Sequence, residues 1–332
     1  MKKYKALIIT DHSNHTVENS LYDLATKLYN HPKTQCVDVV SRVNYMNDRF
    51  FKSIGENKLI VTSVKQDFNF SEKKHPLENN FKVVDTDSYD LIWLRLPPPI
   101  SKEFLDFLSR RFIGKVIINN PDGIYETGSK EFLIQFSTVC PPMRVCRSID
   151  DIKQFKKEFP IVLKPFRAYG GAGIVRIDKN EVWSGKEKMT FKDFEKRYNG
   201  KEYLGVKYLK NEDKGDKRIV VVNGEILGAS LRLPAKDSWI CNVAMGGTSN
   251  KTDITEEEYE IIKTINPRLN EMGIVMYGVD TLVGDDGKRV LSELNTTSIG
   301  GLPQIAKMNQ EPLVEKAIDL IWNYFENNKN KN

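Results

Sequence analysis

The chain has 332 residues, of which 40% are apolar and 29% are charged, and its formal net charge is +5. These values are typical of a globular protein with two or three domains. No basic arm with interleaved aromatic residues and no apolar stretch of ~20 residues occurs, which excludes a nucleic-acid-binding module and a membrane-spanning one. The four cysteines form no CxxC pair and, with four histidines, show no zinc spacing, so reduced thiols and a cytoplasmic location are expected.

The first part of the chain predicts a parallel sheet. Residues 5–10 and 36–40 have the apolar character of buried strands, and residues 17–29 between them have apolar side chains at helical spacing. Such a βαβ beginning favours parallel strands. Residues 42–82 are polar without a clear period and are expected to form a loop-rich excursion. A strand, a helix and another strand follow at 89–95, 101–112 and 115–119.

The second part of the chain predicts a mixture of hairpins and helices. Residues 218–222 and 225–232 flank Asn223-Gly224, a pair that supplies the positive φ angles of a type I′ hairpin turn. Pro267 should bend or interrupt its helix. The other predicted helices and strands are 129–137, 150–159, 160–164, 174–178, 203–209, 255–272, 275–283, 289–295 and 312–326.

Three residues with oxygen-bearing side chains lie on the last two predicted strands. Glu293 and Asn295 are two positions apart, so both side chains point to the same face, which Asp280 can reach from the neighbouring strand. Carboxylate and carboxamide oxygens on rigid strands suit Mg²⁺ bridged to nucleotide phosphates. Taken alone, the three would also be consistent with ordinary polar residues on a half-exposed hairpin.

A lysine and a glycine-rich loop follow the strand at 160–164. Lys164 ends this strand, and Gly170, Gly171 and Gly173 follow it. Glycines let backbone N–H groups approach phosphate oxygens closely, and a lysine supplies a point charge. The segment is neither a Walker A sequence nor a GxGxxG fingerprint, and alone it is also typical of a plain turn.

Two further segments carry hydrogen-bond donors. Arg218 lies at the start of a strand, where a guanidinium could face a transferring phosphoryl group or an oxyanion. Gly246-Gly247 offers backbone donors in a segment that begins at Arg232 and contains Asn242. Without the rest of the chain, a solvated loop edge is the better explanation of the first feature and an ordinary loop that of the second.

The order of these features along the chain resembles that of the ATP-grasp enzymes and, more narrowly, bacterial-type glutathione synthetase. The likeness covers residues 85–320 well and the first 85 residues weakly. The stretches that carry it are NNPDGIYETGSKEF (119–132), IVLKPFRAYGGAGIVRI (161–177), YLKNEDKGDKRIVVVNGE (208–225), RLP (232–234), CNVAMGGTS (241–249), GIVMYGVDTLVG (273–284) and LSELNTTS (291–298).

This resemblance implies an ATP site. The two lysines would contact the phosphates, and the 166–173 loop would close over the γ-phosphate. Residues 206–209 would face the adenine, with the backbone of Lys207 and Leu209 reading its edge, and Asp216 would lie near the ribose. The implied cofactor-binding residues are Lys130, Lys164, Gly170, Gly171, Gly173, Lys207, Tyr208, Leu209 and Asp216.

The resemblance also implies a catalytic residue, a metal site and an acceptor pocket. Arg218 would stabilise an acyl phosphate and the tetrahedral intermediate. Asp280, Glu293 and Asn295 would bind two Mg²⁺ ions, for which Mn²⁺ can substitute. The residues implied for the acceptor and phosphate pocket are Arg232, Asn242, Gly246, Gly247 and Ser298.

The implied fold is α/β, with α+β character in the ATP-binding half: an ATP-grasp fold with an N-terminal parallel-sheet domain. The expected domains are an N-terminal substrate domain (1–120), a central lid domain (121–205) and a C-terminal catalytic domain (206–332). The implied function is that of an ATP-dependent carboxylate–amine ligase acting on small molecules, with γ-glutamylcysteine and glycine as the leading substrates. The resemblance also allows a homo-oligomer.

Two segments depart from the glutathione synthetase pattern. Arg95-Leu96-Pro97-Pro98 stands where the family usually has Arg-Lys-Asp-Pro-Pro, and Pro303-Gln304 stands where it usually has Arg-Glu. Both departures fall where the peptide substrate is expected, and an arginine is the natural bidentate partner of a substrate carboxylate. The alternatives are therefore a related ATP-grasp ligase with other amino-acid or peptide substrates, or a non-catalytic ATP-binding protein.

Overall fold

The computed structural model describes residues 2–53, 55, 57–73, 75–211, 214–233 and 248–330, and the strands in these ranges form three sheets. Three residues that the resemblance assigns to the acceptor pocket, Asn242, Gly246 and Gly247, lie outside the described residues. Among the described helices, none combines the length and the apolar character that crossing a bilayer requires.

The first sheet contains β1 (Tyr4–Thr10), β2 (Thr34–Ser41), β3 (Lys58–Ser63), β4 (Phe81–Asp85), β5 (Leu91–Arg95) and β6 (Val116–Ile118). Their order is β4-β3-β2-β1-β5-β6. The central strands β2, β1, β5 and β6 pair in parallel, which confirms the prediction from the βαβ pattern. The strands β3 and β4 add an antiparallel edge. The helices of this part are α1 (Leu21–Asn30), α2 (Asp48–Phe51), α3 (Lys102–Arg111) and α4 (Pro121–Thr127).

The prediction of a loop-rich excursion over residues 42–82 is wrong, because this segment contains α2 and β3 and leads into β4. Strand β3 buries Leu59 and Val61, but the edge strand β4 leaves Phe81 and Val83 exposed. An edge strand with solvent on its faces needs no alternation of apolar and polar residues. The polar composition of this segment therefore concealed two strands.

The second sheet is antiparallel and contains β7 (Met143–Cys146), β8 (Ile161–Pro165), β9 (Val175–Asp178), β10 (Glu181–Ser184), β11 (Glu187–Thr190) and β12 (Tyr203–Lys207). Their order is β11-β10-β9-β8-β12-β7. A 3₁₀ helix (Lys130–Phe136) stands where the sequence predicts a helix at 129–137, and α5 (Ile149–Phe155) and α6 (Phe191–Arg197) cover the sheet. Leu163, Ile177 and Phe155 lie in its separate apolar core.

The third sheet contains β13 (Asp216–Val222), β14 (Glu225–Leu233), β15 (Thr248–Lys251), β16 (Met276–Val283) and β17 (Arg289–Asn295), in the order β15-β14-β13-β16-β17. Its helices are α7 (Glu256–Glu271), α8 (Leu302–Asn309) and α9 (Leu313–Asn328). Asn223 and Gly224 have φ of 49° and 82°, which confirms the predicted hairpin turn. Helix α7 continues through Pro267, so the predicted interruption is absent from it.

Side-chain alternation along β13 fixes what each face of the third sheet contacts. Val220 packs in one core with Trp93 of the first sheet and Trp322 of α9. Ile219 points the other way and packs with Ile265 of α7. Each of these cores joins residues of the first sheet to residues of the third. The domain boundaries given above stay a prediction.

Candidate active site

A cleft of about 310 Å³ separates the second sheet from the third. Strands β8 and β12 supply one wall, and β13, β14, β16 and β17 supply the other. The charged and polar lining residues are Lys164, Lys207, Asp216, Arg218, Arg232, Asp280, Ser292, Glu293 and Asn295. The apolar lining residues include Pro141, Val162, Ile174, Val206, Leu282 and Val283. We call this region the nucleotide cleft.

The proposed metal ligands lie side by side because strand register aligns them. Asp280 on β16 is the direct cross-strand partner of Glu293 on β17, and Gly278 is the partner of Asn295. The Asn295 Nδ2 donates to Asp280 Oδ2 at 3.1 Å, so these two side chains share one face. Two carboxylates and a carboxamide form an all-oxygen donor set, which is the chemistry that Mg²⁺ prefers. The residues present therefore fit the metal ion that the sequence predicts.

Two arginines and two aspartates form a network on the floor of the nucleotide cleft. Arg218 is the cross-strand partner of Asp280 and donates to both of its carboxylate oxygens, with 2.8 Å between Nη2 and Oδ2. Arg232 donates to both oxygens of Asp216 at 2.6 and 2.8 Å. Its Nη2 also lies 3.0 Å from Asp280 Oδ2. Asp280 is thus shared between two guanidinium groups.

The network sets the charge of its members. Burial acts to raise the pKa of Asp280, but the charges of Arg218 and Arg232 together outweigh it and hold the pKa well below its ordinary range. Burial, and then the charge of Asp280, raise the pKa of the Asp216 carboxyl above its ordinary value, although Arg232 opposes them. Asp280 is therefore the more firmly ionised of the two, as a metal ligand must be.

The two lysines implied at the phosphates lie in different places: Lys164 lines the nucleotide cleft, whereas Lys130 lines an adjoining pocket that shares Glu293 with it. Lys130 Nζ lies 3.0 Å from Glu293 Oε1 and donates to the Ala168 carbonyl at 2.6 Å. Lys164 Nζ donates to the Ser292 carbonyl at 3.4 Å and lies 3.3 Å from its hydroxyl. Burial is the main cause that lowers the pKa of Lys164, and the charge of Glu293 opposes it. The sequence reasoning missed Ser292, which no motif marks.

The glycine loop divides between two surfaces. Gly170 and Gly171 have φ of 62° and 80° and line the nucleotide cleft. Gly173 has φ of 69° but lies in a separate depression, where a Cβ would come within 3.2 Å of Pro165 and 3.3 Å of Lys201. Tyr169, which the sequence reasoning also passed over, lines the cleft just before the glycine pair.

The segment expected at the adenine lies at one end of the same cleft. Lys207, Tyr208 and Leu209 all line it, although β12 ends at Lys207. The Lys207 N–H already donates to the Pro142 carbonyl at 2.8 Å. A hydrogen bond from the Lys207 backbone to an adenine edge would therefore use the Lys207 carbonyl oxygen. The ring of Tyr208 lies 3.9 Å from the guanidinium carbon of Arg176, in cation–π contact.

The two segments that depart from the family pattern meet each other. Arg95 at the end of β5 is only 2% exposed and donates to the Ile299 carbonyl at 2.7 Å and to Ser20 Oγ at 2.8 Å. Gln304 donates to the Glu18 carbonyl at 2.9 Å. Ser298, with φ of 45°, lies on the same loop between β17 and α8, outside the lining of the nucleotide cleft.

Comparisons with known proteins agree with this geometry. Residues 129–310 match the family model of the prokaryotic glutathione synthetase ATP-grasp domain. A glutathione synthetase of Rhodopseudomonas palustris is 30% identical over 246 residues, which cover 72% of this chain and 74% of that protein. A crystal structure of D-cycloserine synthetase is similar with a TM-score of 0.63 at 12% identity, covering 95% of this chain and 99% of that one. A D-alanine–D-alanine ligase of Bacillus anthracis, complexed with ATP, is similar with a TM-score of 0.57 at 13% identity, covering 99% of each chain.

At these identities the solved structures establish the fold alone, and they confirm the predicted ATP-grasp fold. The family is established by the sequence match, which spans just over half of the 332 residues. ATP-grasp ligases use ATP with a divalent metal ion and act on small molecules. The hypothesis of a non-catalytic ATP-binding protein therefore gives way to that of an enzyme. The chain belongs to the prokaryotic glutathione synthetase family of ATP-grasp enzymes, and it is an ATP-dependent C–N ligase.

Proposed function

We propose that the protein joins γ-glutamylcysteine to glycine with ATP, releasing glutathione, ADP and phosphate. The observation that carries the proposal is the row formed by Arg218, Asp280 and Glu293, which are direct partners on three neighbouring strands. It supports the proposal because an arginine and two carboxylates that would hold a metal ion lie near Lys130 and Lys164. The sequence similarity to named glutathione synthetases supports the choice of substrates.

The chemistry proceeds through an acyl phosphate. A carboxylate oxygen of the acid attacks the γ-phosphorus of ATP, and the bond from that phosphorus to the oxygen of ADP breaks. The amine nitrogen of the acceptor then attacks the acyl carbon, the bond from that carbon to the phosphate oxygen breaks, and the nitrogen loses a proton. Activation is needed because the oxygen of a free carboxylate is a poor leaving group, whereas phosphate is a good one.

The cations of the cleft would act on the charge that moves in these steps. Lys164 and Lys130 would hold the phosphates, and Arg218 would stabilise the acyl phosphate and the oxyanion of the tetrahedral intermediate. Two Mg²⁺ ions held by Asp280, Glu293 and Asn295 would neutralise the phosphate charge. Positioning and charge compensation account for most of the catalysis that such a site can provide.

The remaining assignments concern the nucleotide and its cover. Gly170 and Gly171 would close over the γ-phosphate, since their positive φ angles let the backbone approach it. Tyr208 and Leu209 would pack beside the adenine, and Asp216 would lie near the ribose. Closure keeps the acyl phosphate from water, which would otherwise hydrolyse it.

A related ligase with another acid or amine remains the second candidate, and one observation favours it. Arg95, the residue of the altered 95–98 segment that could pair with a substrate carboxylate, is buried and already hydrogen-bonded to Ser20 and Ile299. The altered 298–304 loop lies against the same place. A substrate pocket at this junction would lack the Lys-Asp and Arg-Glu charges of the family pattern.

Measurement of ADP release, coupled to mass spectrometry of the product, tests the proposal. With γ-glutamylcysteine and glycine we expect one glutathione for each ADP, and no product when glycine is omitted. An Asp280→Asn variant is the control for ADP release by a contaminant. Turnover with other amino acids or peptides, but none with this pair, would overturn the substrates and leave the ligase chemistry in place. Absence of ADP release with every acid and amine pair would overturn the chemistry itself.

A further inference from the structure

Three of the four histidines of the chain converge at the carboxyl end of the first sheet, away from the nucleotide cleft. His12 lies on the loop that follows β1, and His15 lies on the same loop. His75 comes from the segment between β3 and β4, and its ring stacks on that of His12 with 4.6 Å between centroids. Carboxyl ends of parallel strands are the usual place for a ligand in α/β sheets. We call His12, His75 and the neighbouring Glu78 the histidine cluster.

The three side chains of the histidine cluster bring one donor atom each into the same neighbourhood. One donor atom from each residue can be chosen so that all three lie within 4.8 Å of one another. His12 Nε2 faces Glu78 Oε1 at 3.7 Å. The His12 side chain is 6% exposed and the Glu78 side chain 62% exposed, so the cluster is buried on one side and open to solvent on the other. Two imidazoles and a carboxylate are ligands typical of Zn²⁺ and other divalent transition ions.

A hydroxyl group contacts the second ring nitrogen of each of these two histidines. His12 Nδ1 lies 2.7 Å from Ser41 Oγ, and His75 Nε2 lies 3.0 Å from the Tyr22 hydroxyl. In metal sites a ligating histidine almost always has its second nitrogen hydrogen-bonded in this way, which fixes the orientation of the ring. His75 Nδ1 accepts the Leu77 N–H at 3.2 Å, so it carries the lone pair that a metal ligand needs.

We propose that His12 Nε2, His75 Nδ1 and the Glu78 carboxylate form a binding site for a divalent transition ion such as Zn²⁺, separate from the magnesium site of the nucleotide cleft. Zinc bonds of ~2.0–2.2 Å require the donors to draw closer together. The exposed Glu78 side chain is free to do so, and the His75 ring must turn out of its stack on His12, because the lone pair of a ring nitrogen lies in the plane of the ring. The ion would replace the bond from Leu77 to His75. Burial lowers the pKa of both imidazoles, which keeps them in the neutral form that binds metals.

Such an ion would cross-link segments that are distant in sequence. It would connect the loop after β1 to the segment before β4. The loop after β1 also contacts the segment between β17 and α8, because Ser20 Oγ donates to the Ile299 carbonyl at 3.0 Å. An ion in the histidine cluster would therefore stabilise the part of the first sheet that lies against the altered 298–304 loop. This inference does not depend on which substrates the enzyme joins.

Titration of the chelator-treated full-length protein with Co²⁺ tests the site. Four-coordinate Co²⁺ with imidazole ligands absorbs intensely in the visible range, whereas a six-coordinate all-oxygen site absorbs weakly. We expect one intense site per chain that Zn²⁺ displaces and excess Mg²⁺ does not. His75→Gln and Glu78→Gln should each weaken Co²⁺ binding about 10-fold or more.

His31→Gln is the matched control. His31 also lies beside a carboxylate, with Nε2 3.1 Å from Asp319 Oδ1, and its Nδ1 also accepts a backbone N–H at 3.2 Å, but it has no second imidazole. We expect its substitution to leave Co²⁺ affinity unchanged. Because Glu78 is exposed, the Glu78→Gln variant should fold normally. It therefore decides between the outcomes if the His75→Gln variant fails to fold. Absence of the intense band, or a band that Glu78→Gln leaves unchanged, overturns the proposal.

Discussion

Replacement of Arg218 by methionine, which keeps the length of the side chain and removes its charge, should slow the chemical step and leave nucleotide binding nearly intact. The Arg218 side chain is 15% exposed and lies in the cleft between two sheets. A unit charge ~4 Å from a developing oxyanion is worth about 4 kcal/mol at the effective dielectric constant of such a site. Loss of one oxyanion donor in other enzymes costs ~2.7–4 kcal/mol, or about 10²–10³ in kcat. We expect a fall in kcat of that size.

The fold of this variant should survive because Asp280 keeps a second partner. Arg232 Nη2 lies 3.0 Å from Asp280 Oδ2, so the carboxylate is not left alone in the cleft. A buried charge that loses its only partner costs ~3–5 kcal/mol of stability, and we expect much less than that here. Thermal unfolding of Arg218→Met beside the wild-type chain measures the difference.

Steady-state kinetics with ADP detection separates the two effects. An interaction made only in the transition state lowers kcat and kcat/KM equally, whereas a loss of ground-state binding raises the KM for ATP with kcat unchanged. Arg197→Met is the matched control, because Arg197 lies 2.6 Å from Glu187 in an exposed pair on the second sheet. A normal kcat in Arg218→Met, or a change confined to the KM for ATP, would refute the role that we assign to Arg218.

Three further predictions test the surroundings of the site. Glu258→Gln should destabilise the fold by ~3–5 kcal/mol in urea unfolding, because it leaves the buried Lys217 ammonium, 2.6 Å from Glu258 Oε2, without its counter-charge; a loss below ~1 kcal/mol would contradict this reasoning. Gly278→Ala should lower kcat more than the melting temperature, because the new Cβ would lie 3.0 Å from Arg218 Cδ and displace that side chain; unchanged turnover would show that the side chain has room to move. Burial raises the pKa of the Cys140 thiol to about 12, so peptide mapping after iodoacetamide treatment at pH ~8 should find it unmodified until denaturant is added; rapid modification of the native protein would show that this part of the core opens.

Local sequence rules were sufficient to bring the proposed metal ligands onto neighbouring strands. The i, i+2 spacing of Glu293 and Asn295 predicts one face, and the tight turn before their strand predicts an antiparallel partner that carries Asp280. The structure has this pairing, with Asp280 opposite Glu293. The hairpin at Asn223-Gly224 was predictable for the same reason, since a two-residue turn fixes register without help from the rest of the chain.

Features that depend on distant contacts were not predictable in this way. The resemblance implies that Arg232 belongs to the acceptor pocket. In the structure Arg232 lies opposite Asp216 on the neighbouring strand, and its side chain also contacts Asp280. Nothing in the sequence around Arg232 specifies which carboxylates it meets. Likewise the sequence shows no zinc spacing, because His12 and His75 come together only through the fold of the segment that contains β3 and leads into β4.

The pairing of charges across the nucleotide cleft suggests how one site can be stable with and without its ligands. Asp280 is paired with Arg218, and Glu293 is paired with Lys130, so each of the two proposed carboxylate ligands contacts a cation. A magnesium–nucleotide complex brings charges of both signs, so it could replace both partners of each ion pair at once. The metal ion would bind the carboxylates, and the phosphates would bind the cations. A metal ion alone would bind the carboxylates and leave the displaced cations without a partner. The nucleotide alone would bind the cations and leave the carboxylates without one. Because uncompensated charge in a water-poor cleft costs several kcal/mol, this arrangement favours the complex over either component.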